Sequence, residues 1–230
     1  MTSEQGANRA RYLFPAELQP PVRPFAPLPT TDGGWACVEA DPAWNFRQWS
    51  DPETEEQKRI SKAAERHYPT MSVEEIMALP VKDVVAKDAH LWLWITGPFL
   101  VAGTHVDVMR SWGFEPSATG FVWIKLQKRR DAYQHQLMTI EEMIHYLHTG
   151  TGKTTRKNAE FCLLGRRGKP QRLAADVHEV IISARREHSR KPVESFERIE
   201  RYCPGPRLQM FSRQPRAGWT TWGNETEKFA

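Results

Sequence analysis

Cysteine is scarce in this chain: Cys37, Cys162 and Cys203 stand far apart, odd in number and without a Cys-x-x-Cys pair. That spacing indicates neither a disulfide framework nor a zinc knuckle, and points to three buried thiols. Long apolar runs are missing as well. The longest, LWLWITGPFLVAG at 91–103, is broken by Gly97 and Pro98 and falls short of the roughly 20 residues of a bilayer-spanning helix. No basic start followed by an apolar run is visible at the N-terminus, so an intracellular, cytoplasmic protein with no membrane contact is expected. A nucleotide phosphate loop is also lacking, although HTGTGKTTRKNAEF (148–161) imitates one. Counting back from Gly152, the position that must be glycine is Leu147, and TIEEMIHYLH before it has the periodicity of a helix rather than a strand.

The composition that remains, 40% hydrophobic and 26% charged over 230 residues, is that of one soluble domain with a full core. A net charge of +4 permits a polyanionic partner without requiring one. Ten basic residues (Lys125, Lys128, Arg129, Arg130, Lys153, Arg156, Lys157, Arg166, Arg167 and Lys169) crowd into one third of the chain. They form either a solvated surface or a nucleic-acid face, and chemistry elsewhere has to decide.

Residues 1–30 carry six prolines and little periodicity, which predicts an extended arm ahead of a single domain over 31–230. Segment 47–69 is polar and too long for a simple turn, so loops are expected near 45–70 and 127–158. Ser72 and Glu75 form a capping box for a helix over SVEEIMAL. Apolar patterning predicts strands at 35–40, 89–96, 118–126, 159–165, 177–183, 207–212 and 218–223, with helices at 97–112 and 192–203. About seven strands, several joined by helices, make a doubly wound α/β sheet, mostly parallel with helices on both faces. Ligands in such sheets bind beyond the carboxyl ends of the strands, here Asp41 onward, Thr96 onward, Ser183 to Lys191, and Arg213.

Asp41-Pro42-Ala43-Trp44 leaves the end of the first strand with a carboxylate, a rigid turn and an aromatic ring. This suits a flat base bearing an exocyclic amine: Asp41 and the Pro42 carbonyl can accept the two amine hydrogens while Trp44 stacks on the ring. Holding both hydrogens localises a nitrogen lone pair that is otherwise delocalised and weakly nucleophilic. A turn with a packed aromatic is the competing reading. Glu142, His145 and His148 fall at helical spacing, but one such helix does not make a carboxylate-bridged metal centre, and no metal is expected.

With these residues go ADPAW (40–44), YPTMS (68–72), LWLWIT (91–96), WGFEP with VWIK (112–125), NAEFCLLGRRGKP (158–170), REHSRKP (186–192), IERYCPGPRLQMFSR (199–213) and GWTTWGNE (218–225). In this order they resemble the MT-A-seventy family of adenine-N6 methyltransferases, relatives of the mRNA N6-adenosine methyltransferase catalytic subunit. The resemblance covers roughly residues 35–225. It implies a Rossmann-like methyltransferase fold that uses S-adenosylmethionine. Carried over by position, Asp41, Pro42 and Trp44 grip the adenine and Tyr68 closes over the site. Asp41, Ser189, Lys191, Gln209, Arg213, Asn224 and Glu225 line the cofactor. Glu160 lies by the substrate, and Lys153, Arg156 and Lys157 contact nucleic-acid phosphates, with a surface hairpin as the alternative for that loop. The chain departs from the family at Ala43, where a second proline is usual, and at Gln209, where an acid is usual. Compact members of this kind resemble bacterial and phage enzymes that modify DNA. The expectation is therefore a DNA adenine-N6 methyltransferase, monomeric or homodimeric, with an RNA enzyme or a catalytically weak nucleic-acid-binding partner subunit as the other readings.

Overall fold

The computed structural model describes residues 25–45, 70–127, 139–150, 155–187 and 190–229. Seven strands form one sheet: β1 (Trp35–Ala40), β2 (Val85–Ile95), β3 (Glu115–Leu126), β4 (Ala159–Arg167), β5 (Val180–Ala184), β6 (Arg207–Met210) and β7 (Thr220–Trp222). Their order is β5-β3-β4-β2-β1-β6-β7. The pairs β1–β2, β1–β6, β3–β5 and β6–β7 are parallel. β4 runs antiparallel to both of its neighbours, so the sheet is mixed around a mostly parallel frame. That reversal brings the start of β4 to the rim where the other strands end, since Ile95 pairs with Phe161 and Ala40 with Leu93.

Alternation along the central strands sorts side chains between two cores. Val38 and Ala40 of β1, with Leu91, Leu93 and Ile95 of β2, face helices α1 (Val73–Met77), α2 (Gly97–Ala102) and α3 (Thr104–Ser111). Cys37, Trp92, Trp94, Phe121 and Trp123 face the opposite way, onto Phe196 and Ile199 of α5 (Val193–Tyr202). Glu39 and Asp41 share that second face by strict alternation. All three cysteines are buried free thiols. Among the described residues no helix is long and apolar enough to cross a membrane.

The capping box of α1 is made: Ser72 Oγ accepts from Glu75 N–H at 3.1 Å and Glu75 Oε2 from Ser72 N–H at 2.8 Å. The helix expected over 97–112 is two helices, because Gly103 adopts φ 77°, a left-handed conformation that ends one helix and turns the chain into the next. Residues 25–30, read as the end of the arm, pack against the sheet. Phe25 stacks on Trp222 at 4.7 Å, and the Trp35 and Trp222 indoles donate to the carbonyls of Pro29 and Ala26.

Trp112 fastens the helical layer. It is fully buried and donates Nε1–H to the Ile76 carbonyl at 2.9 Å, joining the end of α3 to α1. Trp112→Phe keeps most of the apolar contact but removes this bond, leaving the Ile76 carbonyl only the longer one from Leu79 N–H at 3.3 Å, so urea unfolding should show a loss of about 0.5–1.5 kcal/mol. An unchanged midpoint would mean that the carbonyl finds another donor.

Candidate active site at the carboxyl ends of the strands

The DPAW segment is held by its backbone. Met71 N–H donates to the Ala43 carbonyl at 2.8 Å and Asn45 N–H to the Met71 carbonyl at 3.1 Å, so the chain entering residue 70 is pinned beside the chain leaving residue 45. The group that replaces a second proline, Ala43, thus acts here through its carbonyl. Trp44 N–H donates to the Pro42 carbonyl at 2.8 Å, leaving that oxygen one further lone pair. The Trp44 ring is 3% exposed, packs against Phe99 at 5.1 Å and donates Nε1–H to the Trp94 carbonyl at 3.1 Å. These contacts anchor the turn, and stacking on a base would need a face of the ring to be uncovered.

Asp41 is the hub of an ion network. Lys191 Nζ lies 2.7 Å from Asp41 Oδ2 and 3.3 Å from Glu160 Oε2, and Lys125 Nζ bonds the other Glu160 oxygen. Lys191 comes from the segment just ahead of α5, Glu160 from the start of β4 and Lys125 from the end of β3. Both ammonium groups also sit near indole rings, Lys191 at 5.3 Å from Trp94 and Lys125 at 4.9 Å from Trp123. Burial pushes the Glu160 carboxyl up, but the two lysines override it and hold it at about 2. Asp41 goes the other way: burial raises it, Lys191 opposes, and the Glu160 charge adds to the rise.

A second group lies at the ends of β6 and β7. Phe211 adopts φ 59°, rare for a side chain of its size, and turns the chain sharply into Ser212 and Arg213. Arg213 Nε meets Glu225 Oε2 at 2.8 Å. Gly223 permits the approach of these two turns, since a Cβ there would lie 2.8 Å from the Ser212 carbonyl oxygen. Gln209 Oε1 accepts from Ser212 Oγ at 3.2 Å, and Asn224 is exposed.

The structure therefore brings Asp41, Lys191 and Glu160 together, and sets Gln209, Arg213, Asn224 and Glu225 along the adjoining rim. Arg156 and Lys157 are exposed at the approach to β4, with Gly150 N–H donating to the Lys157 carbonyl at 3.1 Å. Tyr68, Lys153 and Ser189 lie outside the described residues. Helix α4 (Ile140–His145) precedes the glycine-lysine stretch and β4 follows it, the reverse of a phosphate loop. Glu142 caps that helix, accepting from Thr139 N–H at 2.8 Å, and among the described residues no three metal-ligating side chains gather. The crowded basic run is divided by the length of β4. Arg166, Arg167 and Lys169 fall at the far end, where Arg167 bonds the Lys82 carbonyl and Lys169 N–H bonds Asp88.

Two residues were missed as members of the site. Lys125 was counted only as part of the basic run, although VWIK placed it at a strand end. Glu39 stood as a lone acid inside an apolar strand, WACVEA, which was the signal. It is fully buried, neither oxygen makes a geometrically sound hydrogen bond among the described residues although Trp94 lies near, and it lies in register with Gln209 on β6. A carboxyl is thus present one strand away from the position where the family resemblance expects one.

Burial pushes Glu39 up to about 8, with the neighbouring Asp41 charge adding to the rise. The unfolded chain releases this proton near 4.5, so between the two values folding binds a proton. The stability is full below the unfolded value and falls as pH rises through 8. Glu39→Gln, which keeps the shape of the protonated acid, should raise the unfolding free energy at pH 8.5 by on the order of 3 kcal/mol and change it little near pH 4.5. Parallel denaturation curves at both pH values would test this, and an equal effect at both would refute a buried, neutral Glu39.

The MT-A70 family profile matches residues 35–225, from the start of β1 past the end of β7. The Type II methyltransferase M.MunI of a Mycoplasma species is 29% identical over 204 residues, which cover 83% of this chain and 77% of that protein. The N(6)-adenosine-methyltransferase MT-A70-like protein of Drosophila melanogaster is 31% identical over 205 residues, 86% of this chain and 28% of the relative. The human N(6)-adenosine-methyltransferase catalytic subunit METTL3 is 29% identical over 200 residues, 85% of this chain and 29% of the relative. The chain spans less than a third of these two longer proteins. With the match running across the whole sheet and through the Asp41 turn, the chain belongs to the MT-A70 family of S-adenosylmethionine-dependent methyltransferases.

Proposed function

We propose that this chain methylates the N6 amine of adenine in DNA, with Asp41 and the Pro42 carbonyl as the groups that grip the amine. The observation that carries this reading is the Asp41 carboxylate at the end of β1, fixed by Lys191 at 2.7 Å beside a carbonyl with a spare lone pair. Lys191 engages Oδ2, which leaves Oδ1 as the acceptor for one amine hydrogen. The Pro42 carbonyl takes the other. When bound, the cofactor supplies a methyl group already activated on a sulfonium. The chain's own work is then orientation and release of the nitrogen lone pair. The methylated amine carries one proton too many, and Asp41, more basic than an exposed aspartate because it is buried, is placed to take it.

The residues present fit the cofactor. Buried polar atoms without hydrogen-bond partners among the described residues, the Glu39 carboxyl and Gln214 Oε1, lie at and beyond the ends of β1 and β6, where a ligand rich in amine and hydroxyl groups would satisfy them. Asp41, Lys191, Gln209, Arg213, Asn224 and Glu225 would hold it, with Ser189 as a further candidate. Glu160 would border the substrate with Tyr68, while Arg156, Lys157 and Lys153 would meet phosphates. DNA is favoured over RNA by the likeness to the Type II methyltransferase M.MunI, of which the match covers 77%.

Labelled methyl transfer from S-adenosylmethionine to matched DNA and RNA oligonucleotides, digested to nucleosides, tests the reading with Asp41→Ala alongside. Label is expected in N6-methyldeoxyadenosine, with a loss of at least a hundredfold in the variant. Label in the RNA product alone would reassign the polymer. Full activity in the variant would end the proposed role of Asp41, and no label together with no cofactor binding would favour the partner-subunit reading.

A further inference from the structure

Three arginines beside the site each bury a guanidinium N–H that no acceptor meets among the described residues. Arg186 follows β5 by two residues, Arg190 immediately precedes Lys191, and Arg216 lies in the connection between β6 and β7. In each, one buried N–H lacks a partner among the described residues: Arg186 Nη1, Arg190 Nε and Arg216 Nε. Orphaned guanidinium donors are costly, because desolvation is not offset by a bond.

Their planes are fixed by aromatic rings. The Arg216 guanidinium stacks 3.6 Å above Phe196, and that of Arg190 lies 5.2 Å from Phe229. Burial holds Arg186 and Arg216 below the usual guanidinium range; Arg190 adds to this at Arg186, while Glu39 and Glu200 oppose it at Arg216 ahead of the smaller push from Arg186 and Arg190. Acids lie near them without bonding the orphaned N–H groups. Glu187 engages Arg190 through Nη1 at 2.9 Å, Glu200 accepts from the Trp219 indole at 2.7 Å, and Glu194 acts on Arg186 through its charge. An oxyanion with several acceptors is the ligand that would satisfy forked donors held in fixed planes.

The geometry points to a phosphodiester site formed by Arg186, Arg190 and Arg216, which takes a backbone phosphate close to the target base. The inference rests on the proposed function for its ligand and deepens it. Arg190 adjoins Lys191, whose ammonium is 2.7 Å from Asp41, so the phosphate belongs to the target nucleotide or to an immediate neighbour. Because phosphate contacts carry no base identity, the cluster sets affinity and register rather than sequence preference. The cofactor's α-carboxylate offers similar chemistry, and the test separates the two sources.

The full chain and its Arg186→Gln/Arg216→Gln variant are titrated against a fluorescein-labelled single-stranded deoxyoligonucleotide with one adenine, over a salt series. Both are also titrated with S-adenosylhomocysteine by calorimetry. The variant should bind the oligonucleotide roughly tenfold more weakly. Its salt slope should be shallower by about 0.7 for each phosphate lost, with the affinity for S-adenosylhomocysteine unchanged. Weakened S-adenosylhomocysteine binding with oligonucleotide binding retained would assign the cluster to the carboxylate and overturn the phosphate site. Unchanged binding of both would overturn it outright. If the double variant melts early, Arg216→Lys replaces it, keeping the charge but losing the fork. A several-fold weaker oligonucleotide Kd is then expected, and an unchanged one refutes the site. Wild-type chain that binds no oligonucleotide would instead remove the proposed function.

Discussion

The ammonium of Lys191, held between Asp41 and Glu160, is the contact on which the site depends. Two carboxylates at the rim of a sheet repel one another, and burial worsens the repulsion because little water screens it. Lys191 resolves this from one side and Lys125 from the other. The geometry requires β4 to run backwards. A parallel β4 would begin at the opposite edge of the sheet and carry Glu160 far from Asp41, whereas the antiparallel strand delivers it to the level where β1, β2 and β3 end. The one irregular strand direction is thus what closes the ion network.

Three carboxyls within a short reach are driven to three different states. Glu160, bonded to two lysines, stays ionised down to about 2. Asp41, bonded to one lysine, is raised above the ordinary aspartate value because burial outweighs the opposing Lys191 charge. Glu39, buried and bonded to no cation among the described residues, holds its proton up to about 8. Environments that separate neighbouring acids in this way mark functional ground, because a single site then offers a fixed anion, a proton acceptor and a neutral group together. The neutral state of Glu39 also matters for its neighbour: a charge there would compete with Asp41 for Lys191.

The strands and the reactive turn were legible because both rest on local rules. Alternation in WACVEA and LWLWIT set the faces, and an aspartate at the end of a buried strand marked the rim. What stayed hidden was non-local. Nothing in AEFCLLG encodes strand direction, so the pairing of Glu160 with Lys125, 35 positions away, could not be read. The basic run looked like one face until β4 stretched it across the sheet. Arg186 and Arg216 lie in different connections, and only the fold brings them near. The break at Gly103 had a local sign, a glycine within a helical pattern, but its left-handed φ depended on how α2 and α3 pack.

The two kinds of cation serve different demands. At the centre, Asp41 and Glu160 are balanced by Lys125 and Lys191, so this cluster carries no net charge when both acids are ionised and Glu39 keeps its proton. A neutral centre does not repel a cationic sulfonium, as a lysine-rich one would. Lysine suits this position, because a compact ammonium can bridge two carboxylates at once. Around it the rim is arginine, with flat guanidinium groups laid on phenylalanine rings at Phe196 and Phe229. Arginine charge thereby lies along the rim and the charge-balanced cluster at the centre. On the proposed function, the same sheet edge would draw in a strand of nucleic acid without opposing its cofactor.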